Sequence, residues 1–332
     1  MAPVKVAVIG ATGETGSSII KGLFASPTEF EITTLTRQES VHKSENETLR
    51  QLGIKVIPYD ARSPVDELAK MFMGIKVVVS AVGPPGFMDQ IPLATAARKA
   101  RVHRFVPCSF APVTPPRTVI EIRDRKEDVV NHIKKIRLPY TWIDVGWWFQ
   151  GLIPSMPSGR TDYAKYTALT GDNMIPGDGN IPNAMTDVRD VGRYVAMIIT
   201  DPRTLNKMVF AYSEVLTANQ AYDVMEALSG EKIQRNYIKA EELEADIDES
   251  RKSIIQTDAD FGSVMTAHFL QYYYSWGIRG DNTPENAEYL GYNSSKDLYP
   301  DFKPAKFSDF VKDLLNGKVN RVYAYKDRDE YC

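Results

Sequence analysis

Residues Val4-Lys5-Val6-Ala7-Val8-Ile9 read as an apolar strand and run directly into Gly10-Ala11-Thr12-Gly13-Glu14-Thr15-Gly16. Three glycines at this spacing, after a strand and before a helix, leave few folds open. Gly10 permits the tight turn, Gly13 lets the backbone approach a pyrophosphate, and Gly16 lets the helix pack closely on the strand. The helix start offers backbone N–H groups and the positive end of a dipole to an anion. The spacing is GxxGxxG, not GxGxxG, and a packing turn alone could use the same glycines. The strand–turn–helix context favours the dinucleotide reading. Gly10, Ala11, Thr12, Gly13, Glu14, Thr15 and Gly16 are therefore the expected pyrophosphate cradle.

The alternation continues. Strand signals fall at 31–36, 55–59, 76–82, 104–107 and 140–145, with helical signals at about 17–24, 45–52, 65–72, 90–100 and 123–135. Strands alternating with helices predict an α/β fold: a doubly wound parallel Rossmann sheet with right-handed crossovers. After Val145 the texture changes. Residues 146–183 are rich in Gly, Pro, Trp and Tyr and lack periodicity, which suggests a functional loop or lid. Further signals are a helix at 188–199, a strand at 207–211, an acidic-polar helix at 239–252 and an aromatic-rich helix at 262–276. Thr217, Gln220 and Gly230 mark a capped helix between them. The expected organisation is a nucleotide-binding domain over 1–153, with the chain returning to it around 184–212. A smaller C-terminal α/β substrate-binding lobe covers 154–183 and 213–318, and 319–332 form a mobile tail.

Composition narrows the function. Lys and Arg number 40 against 43 Asp and Glu, a net charge of −3. That balance argues against a nucleic-acid or membrane-surface protein, so an anionic ligand must be held by local groups. Two cysteines, Cys108 and Cys332, imply no disulfide framework and fit a reducing compartment. No secretory signal precedes the first strand, and no apolar run approaches the ~18 residues of a membrane span. The expectation is a cytoplasmic protein, monomer or homodimer. The histidines are scattered without metal-ligand spacing, so no metal is expected.

The end of the second strand bears on the cofactor. Thr34, Leu35 and Thr36 supply no carboxylate for a ribose hydroxyl, and Arg37 follows. A guanidinium suits a 2′-phosphate, which points to NADP(H), although a solvated arginine is the alternative. Lys43, with His42, could add charge. Ser80, Ala81 and Val82 would let the adenosine half lie against the backbone, and Gln90 could face the cofactor. Ser109 and Phe110 fall near the nicotinamide, and Gly146 is placed with the cofactor residues. Cys108 is either a nucleophile or, more in keeping with an apolar run, a buried inert thiol. Of Trp147, Trp148 and Phe149 at least one should line a substrate cleft, with an interdomain packing cluster as the equal alternative. Tyr163 and Tyr166 would belong to a lid. Gly177-Asp178-Gly179-Asn180 reads as a plain turn. Asp187 and Asp190 with Arg189 and Arg193 suggest structural ion pairs joining the lobes.

VAVIGATGETG, TLTR, VVVSAVG, RFVPCSF, a Lys ahead of LPYTWI, and PGDGN together resemble the isoflavone-reductase-like branch of the atypical short-chain dehydrogenases, the group that includes the NmrA-like proteins. The resemblance runs to about Lys318, and DVGWWFQ and RTDY look like fungal members. It implies two lobes with a cleft between them, NADPH, and reduction of an activated double bond, carbonyl or benzylic centre in an aromatic or polyketide-like small molecule of secondary metabolism. It also implies that Lys126 is the catalytic lysine, bonding the nicotinamide ribose and polarising or protonating substrate. Within Arg123-Asp124-Arg125-Lys126-Glu127-Asp128 the residues alone read as a solvated helix face and do not single it out. The position four before it is Ile122, so a tyrosine-based mechanism is not implied. Cys108-Ser109-Phe110-Ala111 stands where plant members carry SEFG, and the lost Glu removes plant-like substrate details. Two other readings remain: an NADP(H)-sensing regulator without turnover, and a non-redox isomerase or cyclase on the same fold.

Overall fold

A computed structural model describes residues 2–165, 173–256 and 261–323. The chain divides into two compact units. The first comprises Met1–Phe110, Ile122–Asp144 and Val188–Val209; the second comprises Ala111–Glu121, Val145–Asp187 and Phe210–Cys332.

In the first unit, β1 (Val4–Ile9), β2 (Phe30–Arg37), β3 (Lys55–Tyr59), β4 (Val77–Ser80) and β5 (Arg104–Val106) form a parallel sheet in the order β3-β2-β1-β4-β5. A parallel bridge between Phe105 and Tyr140 carries it on to β6 (Thr141–Asp144). The order reverses between β1 and β4, the switch point where doubly wound sheets bind ligands beyond the strand carboxyl ends. Helices α1 (Glu14–Phe24), α2 (Ser44–Gln51), α3 (Val65–Met71), α4 (Gln90–Lys99) and α5 (Glu121–Lys135) make the crossovers. Ala7, Ile9, Leu35 and Val78 pack against Leu68, Phe72, Leu93, Ala97, Val129 and Ile133 of α3, α4 and α5. Burial on both faces accounts for the near-continuous apolar strands.

The chain re-enters this unit with α6 (Val188–Ile198), which lies against α1. A Cβ on Gly22 would stand 2.1 Å from the Gly192 carbonyl carbon, and one on Gly192 would stand 1.8 Å from the Ser18 carbonyl oxygen. Only glycines let the two backbones meet there. The Ser18 hydroxyl bonds the Gly192 N–H at 2.9 Å.

The second unit is built from short pieces. Strands β7 (Trp147–Trp148), β9 (Asn183–Thr186) and β11 (Glu214–Leu216) form one sheet; β8 (Met174–Pro176) pairs with β12 (Asn236–Ile238). Its larger helices are α7 (Ala218–Ser229), α8 (Ala240–Gln256) and α9 (Phe261–Tyr274). The expected cap of α7 is a full capping box, and Gly230 follows it in the left-handed region.

Three expectations change. The domain boundary expected at 153 falls at Asp144, because Gly146 (φ +72°) turns the chain and Trp147 pairs with Met185 of the second unit. The return expected over 184–212 covers Val188–Val209. The tail expected from 319 begins packed: Val319 and Val322 are buried and Tyr323 stacks on Trp148, while 324–332, with Cys332, lie outside the described residues. Residues 146–183, expected to lack periodicity, still carry β7, β8 and the start of β9. These strands are two to four residues long, too short to leave a two-residue repeat.

Candidate active site

The glycine turn closes as its residues require. Gly10 has φ +80°, and a Cβ there would lie 2.7 Å from the Ala81 carbonyl oxygen; one on Gly16 would lie 2.0 Å from the Gly10 carbonyl oxygen. These two glycines serve strand–turn–helix packing. Gly13 differs: a Cβ there would meet nothing nearer than 3.6 Å, so the protein's own packing does not demand glycine. Gly13 is the N-cap of α1 and supplies no side-chain cap, and the first helical bond runs from the Ser17 N–H to the Gly13 carbonyl at 2.7 Å. The Thr15 and Gly16 amides precede that bond, at the end of the helix that attracts anions. On the strands flanking β1, the Thr34 and Ser80 hydroxyls are buried without a hydrogen-bond partner. Such groups in a folded protein call for a ligand or water. These features fit a dinucleotide across the carboxyl ends of β1, β2 and β4.

Arg37 stands at the end of β2, 45% exposed, its Nε 3.4 Å from Glu39. Asp89 and Tyr59 are also nearby: burial, and then the Asp89 charge, push the Tyr59 hydroxyl up to about 12, while Arg37 counters both. Lys43 is exposed and begins α2 as its N-cap. Ala81 anchors the turn through its N–H to the Ile9 carbonyl at 2.8 Å, and the Val82 carbonyl accepts from the Cys108 thiol at 3.1 Å. Gln90 departs from expectation. It is fully buried, its amide nitrogen donates to the Phe87 carbonyl at 3.1 Å and its oxygen accepts from the Cys108 N–H at 2.8 Å. Its amide braces the loops that follow β4 and β5.

Helix α5 is not a solvated charge run. Arg123 and Lys126, one turn apart, are both buried, whereas Arg125 between them is exposed. The Lys126 ammonium donates to the Ser109 carbonyl at 2.7 Å and lies 5.1 Å from the centre of the Phe87 ring. Among the described residues no carboxylate reaches it within ion-pair distance. Burial holds its pKa below the ordinary lysine value; Cys108 and Asp144 push it back up and Arg123 pushes it further down. Cys108 is buried and its thiol is pushed up by burial, so it is an inert thiol and not a nucleophile.

Arg123 and Asp144 were not legible as site residues. Arg123 pairs with Asp144 at 2.9 Å and lies 4.6 Å over the Trp142 ring; the Trp142 indole donates to Asp144 at 2.8 Å, and the Ser109 hydroxyl bonds the same carboxylate. The available signal was a carboxylate closing an otherwise apolar strand, with Arg123 three residues before Lys126. Phe110 is buried with φ +48°, an uncommon backbone for a bulky residue, and its N–H donates to the Ile143 carbonyl at 2.9 Å.

The aromatic residues assigned to substrate divide. Trp147 is buried among Phe269, Tyr272, Tyr273 and Trp276, and Phe149 is fully buried against Phe307 and Phe310. Both belong to the second unit's core, the packing alternative. Trp148 alone of the three is half-buried. Tyr163 is 43% exposed, but its hydroxyl donates to the Leu314 carbonyl at 2.7 Å; Tyr166 lies outside the described residues. A Cβ on Gly146 would lie 2.3 Å from the Ala184 carbonyl oxygen, so that glycine has a packing role of its own. Asp190 pairs with Arg193 within the first unit, while Asp187 accepts from Gln150 at 3.0 Å in the second. Among the described residues, no helix is long and apolar enough to cross a membrane, and no His, Cys, Asp and Glu cluster could hold a metal.

Comparison with known proteins finds relatives along nearly the whole chain. An asnovolin J 5',6'-dehydrogenase of Aspergillus novofumigatus is 40% identical over 322 residues, covering 97% of this chain and 98% of the relative. Pinoresinol reductase 1 of Arabidopsis thaliana is 28% identical over 333 residues, covering 94% and 97%. Among solved structures, the leucoanthocyanidin reductase–NADPH complex of Vitis vinifera superposes with a TM-score of 0.77 at 20% identity, covering 94% of this chain and 99% of that one, and so shares the fold. The NmrA-like family matches residues 3–310, and the chain belongs to that family.

Proposed function

We propose that this protein is an NADP(H)-dependent oxidoreductase that acts on an aromatic or polyketide-like small molecule, with Lys126 as the proton-handling group. The reading is carried by one observation: a buried ammonium bonded to a carbonyl, with no carboxylate partner among the described residues, beside β5 of a nucleotide-type sheet. When bound, NADPH supplies the hydride. The chain's own residues do the rest. The Thr15 and Gly16 amides bind the pyrophosphate, Gly13 leaves it room, and Arg37, aided by Lys43, holds the 2′-phosphate. Thr34 and Ser80 supply buried hydroxyls toward the adenosine half. Lys126 orients the nicotinamide ribose and donates a proton to the substrate oxygen as negative charge develops there; its lowered pKa makes that transfer easier. Phe87 and Phe110 offer apolar surface for a flat substrate.

The dehydrogenase name of the relative at 40% identity favours a second reading, in which the same groups run the reaction toward NADP⁺ reduction with Lys126 as the acceptor. NADPH deuterated at C4 of the nicotinamide, incubated with a panel of benzylic ethers, enones and ketones, tests the proposal. The expected result is deuterium in the product carbon skeleton. Tight NADPH binding with no transfer in either direction would leave the sensor reading and remove this one.

A further inference from the structure

We propose that Asp144 and Arg123 are positioning residues for Lys126. Asp144 fixes the peptide that anchors the ammonium, and Arg123 keeps the Asp144 charge from becoming the lysine's counterion. This rests on the reading of Lys126 given above.

The carboxylate is fully buried at the end of β6, and its oxygens are taken by three donors. One accepts from the Ser109 hydroxyl; the other accepts from the Trp142 indole at 2.8 Å and the Arg123 guanidinium at 2.9 Å. Ser109 thus faces two ways, its hydroxyl to Asp144 and its carbonyl to Lys126 at 2.7 Å. The next residue, Phe110, is held at φ +48°, so this short run has little freedom to move the carbonyl. A buried lysine next to a buried aspartate would ordinarily pair with it and stay firmly charged. Here Arg123 takes that place, with Glu127 3.6 Å away on its other side. The groups around the ammonium are then the Cys108 thiol below β5, Arg123 on its own helix, Asp144 from β6, the Ser109 carbonyl and the Phe87 ring.

The two charges act on Lys126 in opposite senses, which separates this inference from mere structural damage. Asp144→Asn leaves the Arg123 cation uncompensated and moves the lysine's titration to lower pH. Arg123→Gln leaves the Asp144 anion facing Lys126 and moves it to higher pH. The double variant removes the two opposed charges together and titrates near the native value. The measurement is ¹³C NMR of Cε-labelled lysine in the cofactor-free full chain, with Lys126→Met assigning the resonance. Displacements of about one pH unit in opposite directions are expected for the single variants. Should these fail to fold, the double variant still tests the inference, since a titration far from native would overturn it. Ser109→Ala reads the anchoring half: kcat should fall about tenfold, the size of one lost hydrogen bond to a charged group. Equal, same-direction or absent displacements, or an undiminished kcat in Ser109→Ala, overturn the proposal. If the titrations diverge while the pH profile of kcat stays fixed in every variant, the positioning inference holds and the catalytic reading of Lys126 fails.

Discussion

Holding an ammonium in a dry site costs free energy, and at Lys126 the cost depends on pH. Its folded-state pKa is lowered by burial, so between that value and the unfolded value of about 10.4 the unfolded chain binds more protons. Stability therefore rises with pH across that window, and the penalty is fully present below it. Lys126→Met should stabilise the protein near neutral pH by on the order of 1–4 kcal/mol, with the gain shrinking as pH approaches the unfolded value. Urea denaturation at two pH values checks this. The same variant should lower kcat by about 10²–10⁴-fold, the usual contribution of a positioned acid. At the other end of the cofactor, Arg37→Ala should raise the KM for NADPH by roughly 10–100-fold and leave that for NADH nearly unchanged, since only NADPH carries the phosphate. Equal effects on both would remove Arg37 from the site. Arg37 was legible because a strand end fixes its place. Lys126 was not, because a charge run names no member; only the family resemblance picked it out. Burial of Arg123 and Asp144 depends on tertiary packing that no local pattern records.

Among the elements, α1 carries the most constraint. Its N-terminus leaves the Thr15 and Gly16 amides ahead of the first helical bond, its first turn packs on Gly10 through Gly16, and its far half meets α6 through Gly22 and Gly192. Gly192→Ala should cost about 1–3 kcal/mol from overpacking and should also weaken NADPH binding, because relief of the clash must shift α1. Denaturant midpoints and cofactor titration read the two effects. Gly74→Ala is the contrast: it has φ +79° and open space, so it should cost about 1–2 kcal/mol from backbone strain and leave cofactor affinity unchanged. The first glycine set could be read because it follows a strand and opens a helix. The Gly22–Gly192 contact could not, since its members lie far apart in sequence. Helix α5 shows the same limit: its charges suggest a wet face, yet Arg123 and Lys126 point inward.

At the scale of the molecule, the nucleotide-binding unit is discontinuous, with its last segment arriving at Val188–Val209. Truncation after Asp187 removes α6 and leaves the apolar side of α1 uncovered. Such a chain should show no NADPH-induced thermal shift, whereas the full chain at a hundredfold excess over Kd should gain about 2.7 kcal/mol. A normal shift in the truncated chain would show α6 to be dispensable. The parallel unit was legible because its strands are apolar and alternate regularly with helices. The second unit was legible in its helices, α7 by its cap and α8 and α9 by the signals at 239–252 and 262–276, but not in its strands, which at two to four residues carry no period, nor in the role of its aromatics, which look alike whether they line a cavity or fill a core.

The late arrival of α6 also sets an order on biosynthesis. The glycine turn, α1 and six strands are complete once Asp144 is made, yet the helix that covers α1 lies beyond residue 187. At ordinary elongation rates the ribosome needs on the order of 3–13 s to go from Asp144 to the end of that returning segment at Val209. Throughout it the apolar side of α1 that meets α6 stays uncovered, making this stage of translation the one at which chaperone protection matters most.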